Sequence, residues 1–365
     1  MKKFKILYTI NWLNYGGAER FVLNILQHFD LNKFDITIMI RNNPNPMIDS
    51  FEDLGVKIVQ APAFPKEIYK HVKFLIKFIF DNKNRFDFIH MHLNSLIYIL
   101  PIILFKMFSK KTKIIIHSHS SFSKNSLVRI IHKINKLVFL NFIDLKIGCS
   151  KNAGDWMFNE KEFFTLYNGI DIERFSYNKD FRKEIRDKFN LNDRDILIGI
   201  VGRLSEVKNH KFALDLLEKL EENFKLMIIG DGELECEIKK YIKSKSIDDK
   251  VIMTGAVNDV NKYYSALDIF IQPSLFEGFP FTVIESQVAN LPTLISNNIT
   301  EEVKFSDKVY FLDLDNRVWL KTLKAIASKT SFKERNIYFE NNFSDINIKE
   351  ISRKLTELYI KEGTL

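Results

Sequence analysis

Cysteine is scarce in this chain of 365 residues: Cys149 and Cys236 stand far apart, and neither belongs to a Cys-x-x-Cys pair. That excludes a disulfide framework and a thiolate zinc site. Glycine (13) and proline (8) are too few for a collagen-like or low-complexity chain. Long apolar runs are missing as well. The basic opening is followed by an apolar stretch only from Ile6 to Ile10, short of the roughly 7–15 residues of a secretory leader core. The best candidate span, Leu96 to Phe105, contains Pro101 and falls well short of the roughly 20 residues a membrane-spanning helix needs. The expectation is a reduced, cytoplasmic protein without a transmembrane segment.

What is present is an ordinary globular balance, 46% apolar and 27% charged, in a length that suits two domains. The charge is uneven. Residues 1–175 carry 25 Lys and Arg against 15 Asp and Glu, whereas the rest carries 29 against 31. A basic first half implies contact with something anionic. Nucleic acid is not expected, because the basic residues form no recognisable nucleic-acid motif.

Short runs rich in Ile and Val alternate with helix-length stretches. In the first half the strands expected are Lys5–Thr9, Asp35–Ile40, Val56–Gln60, Phe88–Met91, Lys113–Ile116 and Leu145–Cys149. Helical stretches fall near 18–28, 66–81, 94–108 and 124–140. After a polar segment, Asn178–Asp195, the pattern repeats with strands at Ile196–Val201, Leu226–Gly230, Val251–Thr254, Ile269–Gln272 and Thr293–Ile295. Unalternating strands separated by helices predict parallel sheets covered on both faces. The fold class expected is α/β, with two Rossmann-like doubly wound domains at 1–177 and 178–345. An amphipathic helix at 346–365 is expected to pack back on the first domain. Ligands of such sheets bind outside the carboxyl ends of the strands, so the site is expected in a cleft between the two halves.

Three segments carry chemistry. Tyr15-Gly16-Gly17-Ala18-Glu19-Arg20 follows the first strand, where two glycines admit a ligand to the backbone and a helix N-terminus offers N–H groups to an anion. It lacks the third glycine of a dinucleotide fingerprint, so NAD binding is not supported. Gly202-Arg203-Leu204-Ser205-Glu206-Val207-Lys208 puts two cations on one loop at a strand end, an arrangement suited to a diphosphate. Glu277-Gly278-Phe279-Pro280-Phe281-Thr282-Val283-Ile284-Glu285 sets one carboxylate just ahead of a helix and one inside it. Carboxylates accept from diols, and the N–H groups of Gly278, Phe279, Phe281 and Thr282 are expected to face phosphate or sugar oxygens. The plain alternative is a pair of exposed helix glutamates.

In these segments the chain resembles the family-4 retaining glycosyltransferases of GT-B architecture, in particular bacterial members that build capsular or extracellular polysaccharide. The likeness runs from Gly16-Gly17 through Glu285 to Leu291-Pro292-Thr293-Leu294, with the Glu-x7-Glu signature on Glu277 and Glu285. It implies Glu277 at the transferred sugar, Glu285 at the ribose, Arg203 and Lys208 at the diphosphate, and Gly17 near it. Pro280 stands where many relatives have glycine, which removes one N–H donor. His119, with His117 in reserve, matches a histidine lining the sugar site. Asn168 in Tyr167-Asn168-Gly169 matches the segment entering the hinge, and Gly255 the turn beneath the base.

The activity implied is transfer of a hexose or N-acetylhexosamine, with retention, from a nucleotide diphosphate sugar, foremost a UDP-sugar. The acceptor is a saccharide, a lipid-linked one included. A nucleotide-sugar 2-epimerase and a non-catalytic nucleotide-sugar or glycan binding subunit are the alternatives. No metal is expected, because Asp313-Leu314-Asp315 and Asp193-Arg194-Asp195 lie away from the donor-site strands, and no other cofactor is implied. The predicted helix 66–81 carries Lys66, Lys70, Lys73 and Lys77 in a stripe beside Ile68, Val72, Leu75 and Ile79. This marks a candidate contact with an anionic membrane surface, at the inner face of the cell membrane.

Overall fold

The computed structural model of the chain describes residues 3–14, 16–123, 125–159, 162–329 and 341–364. Tyr15 of the first motif and Lys124, the expected start of a helix, lie outside them. Two compact units result, one of 1–169 with 345–365 and one of 170–344. The first comprises β1 (Phe4–Ile10), α1 (Gly17–His28), β2 (Phe34–Ile40), α2 (Ile48–Glu52), β3 (Lys57–Gln60), α3 (Ile68–Asp81), β4 (Phe88–Leu93), α4 (Leu100–Phe108), β5 (Lys113–Ser118), α5 (Ser126–Phe139), β6 (Leu145–Gly148), α6 (Lys151–Phe158) and β7 (Phe164–Thr165). The second comprises α7 (Ile172–Phe175), α8 (Lys179–Lys188), β8 (Ile196–Val201), α9 (His210–Glu218), β9 (Phe224–Ile229), α10 (Glu235–Ser244), β10 (Val251–Gly255), α11 (Val260–Ala266), β11 (Ile269–Gln272), α12 (Phe281–Val288), β12 (Thr293–Ser296), β13 (Val309–Leu312) and α13 (Asn316–Lys329). The closing helix α14 (Ile348–Thr364) belongs to the first unit.

Each unit is an all-parallel sheet of the doubly wound kind. The strand orders are β3-β2-β1-β4-β5-β6-β7 and β10-β9-β8-β11-β12-β13. The order reverses between β1 and β4 in one sheet and between β8 and β11 in the other. Such a switch point is where α/β sheets leave a ligand crevice at the carboxyl strand ends. In the first unit Ile89, Met91, Ile114 and Ile116 meet Leu75, Ile79, Ile102 and Phe105 from α3 and α4. In the second, Ile198, Ile200, Leu226 and Ile228 meet Leu214, Leu217, Ile238 and Trp319. Fully burying one such side chain stabilises by about 1.5–3 kcal/mol.

Three departures from the sequence reading have physical causes. The first unit ends at Gly169 rather than 177, because α7 packs against α11 and α12. The polar segment 178–195, given no element in the sequence, is partly helical. It contains α8, whose Arg182 and Arg186 grip the buried Asp268 carboxylate at 2.7 and 3.1 Å, while the Leu197 N–H donates to it at 2.8 Å. The sequence reading also stops before β13 and α13. There Trp319, fully buried, donates its indole N–H to the Asp313 carbonyl at 2.8 Å.

Candidate functional site

The second unit gathers the acidic and basic candidates at the carboxyl ends of β8 and β11. The loop after β8 carries Lys208, whose Nζ lies 2.7 Å from Glu277 Oε1. The two loops are laced together: the Leu275 N–H donates to the Val207 carbonyl at 2.8 Å, and the Asn209 amide to the Pro273 carbonyl at 3.1 Å. The Ser274 hydroxyl also reaches Glu277 Oε1, at 3.4 Å. Both members of the ion pair are mostly enclosed, at 17% and 19% side-chain exposure. Enclosure fixes the geometry of both charges and limits screening by water.

Pro280 serves as N-cap of α12, with φ −72° and ψ 122°. A cap without an N–H loses nothing there, and the first-turn N–H groups of the helix have no partner within the helix. Thr282 sits in that turn and donates its hydroxyl to Gln272 Oε1 at 2.6 Å. The side chains of Phe279 and Phe281 are buried, so their rings face the fold rather than solvent. Gly278, half-buried, lies between Glu277 and Phe279. Glu285, one turn further in, is fully buried and accepts from the Tyr264 hydroxyl at 2.8 Å. Tyr264 is itself packed on Phe175 and Phe270. Burial of Glu285 and enclosure of Glu277 dispose of the reading as two exposed helix glutamates.

Arg203 stands apart from this group. It is exposed, and its Nε bonds Glu233 Oε2 at 2.9 Å on the loop after β9, so the two expected cations hold different carboxylates in the structure. The loops after β8 and β9 meet through two glycines, Gly202 of the quoted loop and Gly230 at the end of the expected strand Leu226–Gly230. Gly230 has φ +138°, and a Cβ there would lie 2.1 Å from the Gly202 carbonyl oxygen. Gly202, at φ +146°, leaves room for the Lys208 stem, which a Cβ would meet at 3.0 Å. Gly255 accepts from the Gly230 N–H at 2.9 Å. The signal was the Ile229-Gly230-Asp231-Gly232 run directly after a strand. His210, first residue of α9, is also buried beside this loop, and burial, aided by Lys208, pushes its imidazole down to about 4.

In the first unit Gly16 is the N-cap of α1 and Gly17 its first residue. The Glu19 carboxylate folds back so closely that a Cβ on Gly16 would lie 2.3 Å from it, and burial raises the Glu19 carboxyl to about 7. Asn168 is buried, and Gly169 beside it packs on Ile348 of α14.

His119 belongs to a larger array than expected. His90 and His92 share one face of β4, His117 continues it on β5 and His119 just beyond the end of that strand, and His92 pairs with His117 in register. The His92 Nδ1 and His119 Nε2 are 2.8 Å apart, and His90 Nδ1 meets the Tyr359 hydroxyl, which in turn lies 2.9 Å from the Tyr8 hydroxyl. Burial holds all four imidazoles below their ordinary range, His119 at about 3. They are neutral at any physiological pH. One ring nitrogen each of His90, His92 and His117 lies within 4.8 Å of the others. The His90 and His117 rings are nearly parallel, within 14°. The signal in the sequence was the repeated spacing of His90-Met91-His92 and His117-Ser118-His119, of which only the second was noticed.

The sequence model described as Glycosyltransferase Family 4 matches residues 15–174, and that described as Glycosyl transferases group 1 matches 181–313. The chain belongs to this family and is a glycosyltransferase. It is similar to the capsular polysaccharide biosynthesis glycosyltransferase CapH of Staphylococcus aureus, 24% identical over 98% of this chain and 99% of the relative. It is 26% identical to the UDP-Gal:alpha-D-GlcNAc-diphosphoundecaprenol alpha-1,3-galactosyltransferase of Escherichia coli, over 98% of this chain and 97% of the relative. Among solved structures, Anabaena HepE in complex with UDP superposes with a TM-score of 0.82 at 14% identity, covering 98% of this chain and 100% of that one. That likeness establishes the GT-B fold. Among the described residues no helix is long and apolar enough to cross a membrane.

Proposed function

We propose that this enzyme transfers a hexose or N-acetylhexosamine from a UDP-sugar, with retention of anomeric configuration, to a lipid-linked saccharide in glycan assembly. The observation that carries the reading is the enclosed Lys208–Glu277 pair at the β8–β11 switch point, directly before the N-terminus of α12. A diphosphate entering there would draw Lys208 away from Glu277. Lys208 would then neutralise the leaving group, and Glu277 would be released to accept from sugar hydroxyls. Glu285, held by Tyr264, is assigned to the ribose diol. The exposed Arg203 would swing from Glu233 to the outer phosphate. Fixed cations and helix N–H groups stabilise a departing diphosphate electrostatically, so the reading includes no metal or other cofactor at this step.

His119, a neutral imidazole, is assigned to the transferred sugar, as hydrogen-bond donor or acceptor without a charge. Gly16, Gly17, Asn168 and Gly255 are assigned to the borders of the donor site. The UDP bound by HepE and the diphosphoundecaprenol acceptor in the name of the Escherichia coli relative support the donor and acceptor classes.

The test is to incubate the enzyme with UDP-sugars and a diphosphoundecaprenol-linked sugar, and to read the product anomer by NMR. An α-linked product from an α-configured donor, formed equally with EDTA present, supports the reading. Inversion contradicts it, and turnover of the donor without acceptor favours the epimerase alternative.

A further inference from the structure

Helix α5 is built inside out. Leu127, Ile130, Ile134, Leu137 and Val138 recur at helical spacing, and they are 65%, 57%, 56%, 78% and 52% exposed, with Phe142 just beyond at 45%. On an ideal helix these five positions span an arc of about 100°. The opposite side faces the protein; Phe139 packs there on the core, but the groups bonded to the rest of the fold are polar. His132, the buried residue of the helix, accepts from the Leu96 N–H at 2.9 Å through Nδ1 and lies 3.0 Å from the Trp156 carbonyl through Nε2. Asn135 donates to the Leu96 carbonyl at 2.6 Å, and Lys136 to the Trp156 carbonyl at 2.8 Å. A surface helix normally turns its apolar stripe to the core. This one spends its polar groups on the fold and leaves an apolar ridge outside, larger than scattered surface residues explain.

The charge around the ridge says what covers it. Helix α5 carries Lys133 on the flank of the ridge and no acidic residue, Arg129 and Lys136 being engaged with Ser123 and Trp156; between Asp87 and Asp144 the sequence has eight Lys and Arg and no Asp or Glu. A second copy of the same face would set these cations against one another. An anionic bilayer complements both the charge and the ridge: apolar residues sink about 5–10 Å into the headgroup boundary while lysines and arginines stay at the phosphates.

We propose that α5 is the membrane-docking element of this enzyme, seated in the plane of a bilayer containing anionic lipids. The proposal deepens the acceptor reading above and rests on it in part, since a lipid-linked acceptor keeps its reacting sugar at such a surface. It also relocates the contact. Helix α3, expected from its lysine stripe, turns Leu75 and Ile79 into the core and pairs Lys70 with Glu67 at 2.7 Å; it also exposes Ile68, Tyr69 and Phe80, so the experiment sets the two helices against each other.

The experiment compares the full chain with an Ile130→Glu/Leu137→Glu variant and a Lys73→Ser/Lys77→Ser variant. Each is sedimented with vesicles of phosphatidylcholine alone or with phosphatidylglycerol added. The thermal shift caused by UDP is read in parallel as a check on folding and donor binding. The wild type is expected to bind the phosphatidylglycerol vesicles, the α5 variant about tenfold or more weakly, and the α3 variant nearly as the wild type. Equal binding by wild type and α5 variant overturns the proposal, as does no binding by the wild type. A wild-type dimer that the α5 variant splits overturns it in favour of a second copy. Absence of a UDP shift in wild type would count against the donor reading alone, because vesicle binding does not depend on it.

Discussion

The two units share a fold but treat titratable side chains in opposite ways at their carboxyl strand ends. The first buries four imidazoles as neutral rings, stacked on one another and tied to Tyr359. The second keeps charges there, as the enclosed Lys208–Glu277 pair and the exposed Arg203–Glu233 pair. A neutral, hydrogen-bonding wall suits uncharged hydroxyls, and a charged one suits a diphosphate. The same topology thus yields two chemistries through the residues that follow each strand.

The largest effect expected on this contrast comes from Lys208→Ala. It removes a charge-assisted bond of about 1.5–3 kcal/mol and leaves Glu277 enclosed without its cation, so kcat/KM for the sugar donor should fall about 100-fold. Arg203→Ala, in the exposed pair, should cost tenfold or less, because solvent screens that site. If the two substitutions cost the same, burial of the pair is not what distinguishes them.

On the side of the first unit, the contrast predicts a pH signature. The four histidines stay neutral in the fold but protonate near 6.5 when unfolded. Their contribution is complete above that pH and is lost as pH falls, with a slope of up to about 1.4 kcal/mol per unit per histidine. Glu19 acts with the opposite sign: its carboxyl is raised to about 7 from 4.5, so its contribution is complete below 4.5 and lost as pH rises to 7. With these four histidines, joined in the same direction by the buried His71 and His132, against one carboxyl, urea stability should drop between pH 6.5 and 5, and His117→Leu should flatten that drop. In the second unit, Gly230→Ala should cost about 1–3 kcal/mol in the same unfolding assay, because its Cβ has no space beside Gly202.

Much of this was legible beforehand, for particular reasons. Strands such as Ile196–Val201 and Ile269–Gln272 stand at the expected bounds, because buried parallel strands are unbroken apolar runs. Glu277 and Glu285 were visible from spacing across a proline-capped helix start. Residues that depend on contacts far apart in sequence were not. The partner of Arg203 is Glu233, and it is set by a second loop held against the first through Gly230. The histidine array needs two strands in register before it exists. The direction in which α5 turns its apolar stripe rests on Leu96 and Trp156, which no periodicity reveals. The two-residue β7 carries too little sequence for any pattern, and both its residues are exposed.

The most direct test of the central claim, a diphosphate site centred on Lys208, is calorimetric titration of UDP and of uridine into wild type and Lys208→Ala. The account predicts that the substitution weakens UDP about 30-fold, from a lost charge-assisted bond of roughly 2 kcal/mol, and leaves uridine unchanged. UDP binding that ignores the substitution, or an equal loss for uridine, would contradict it.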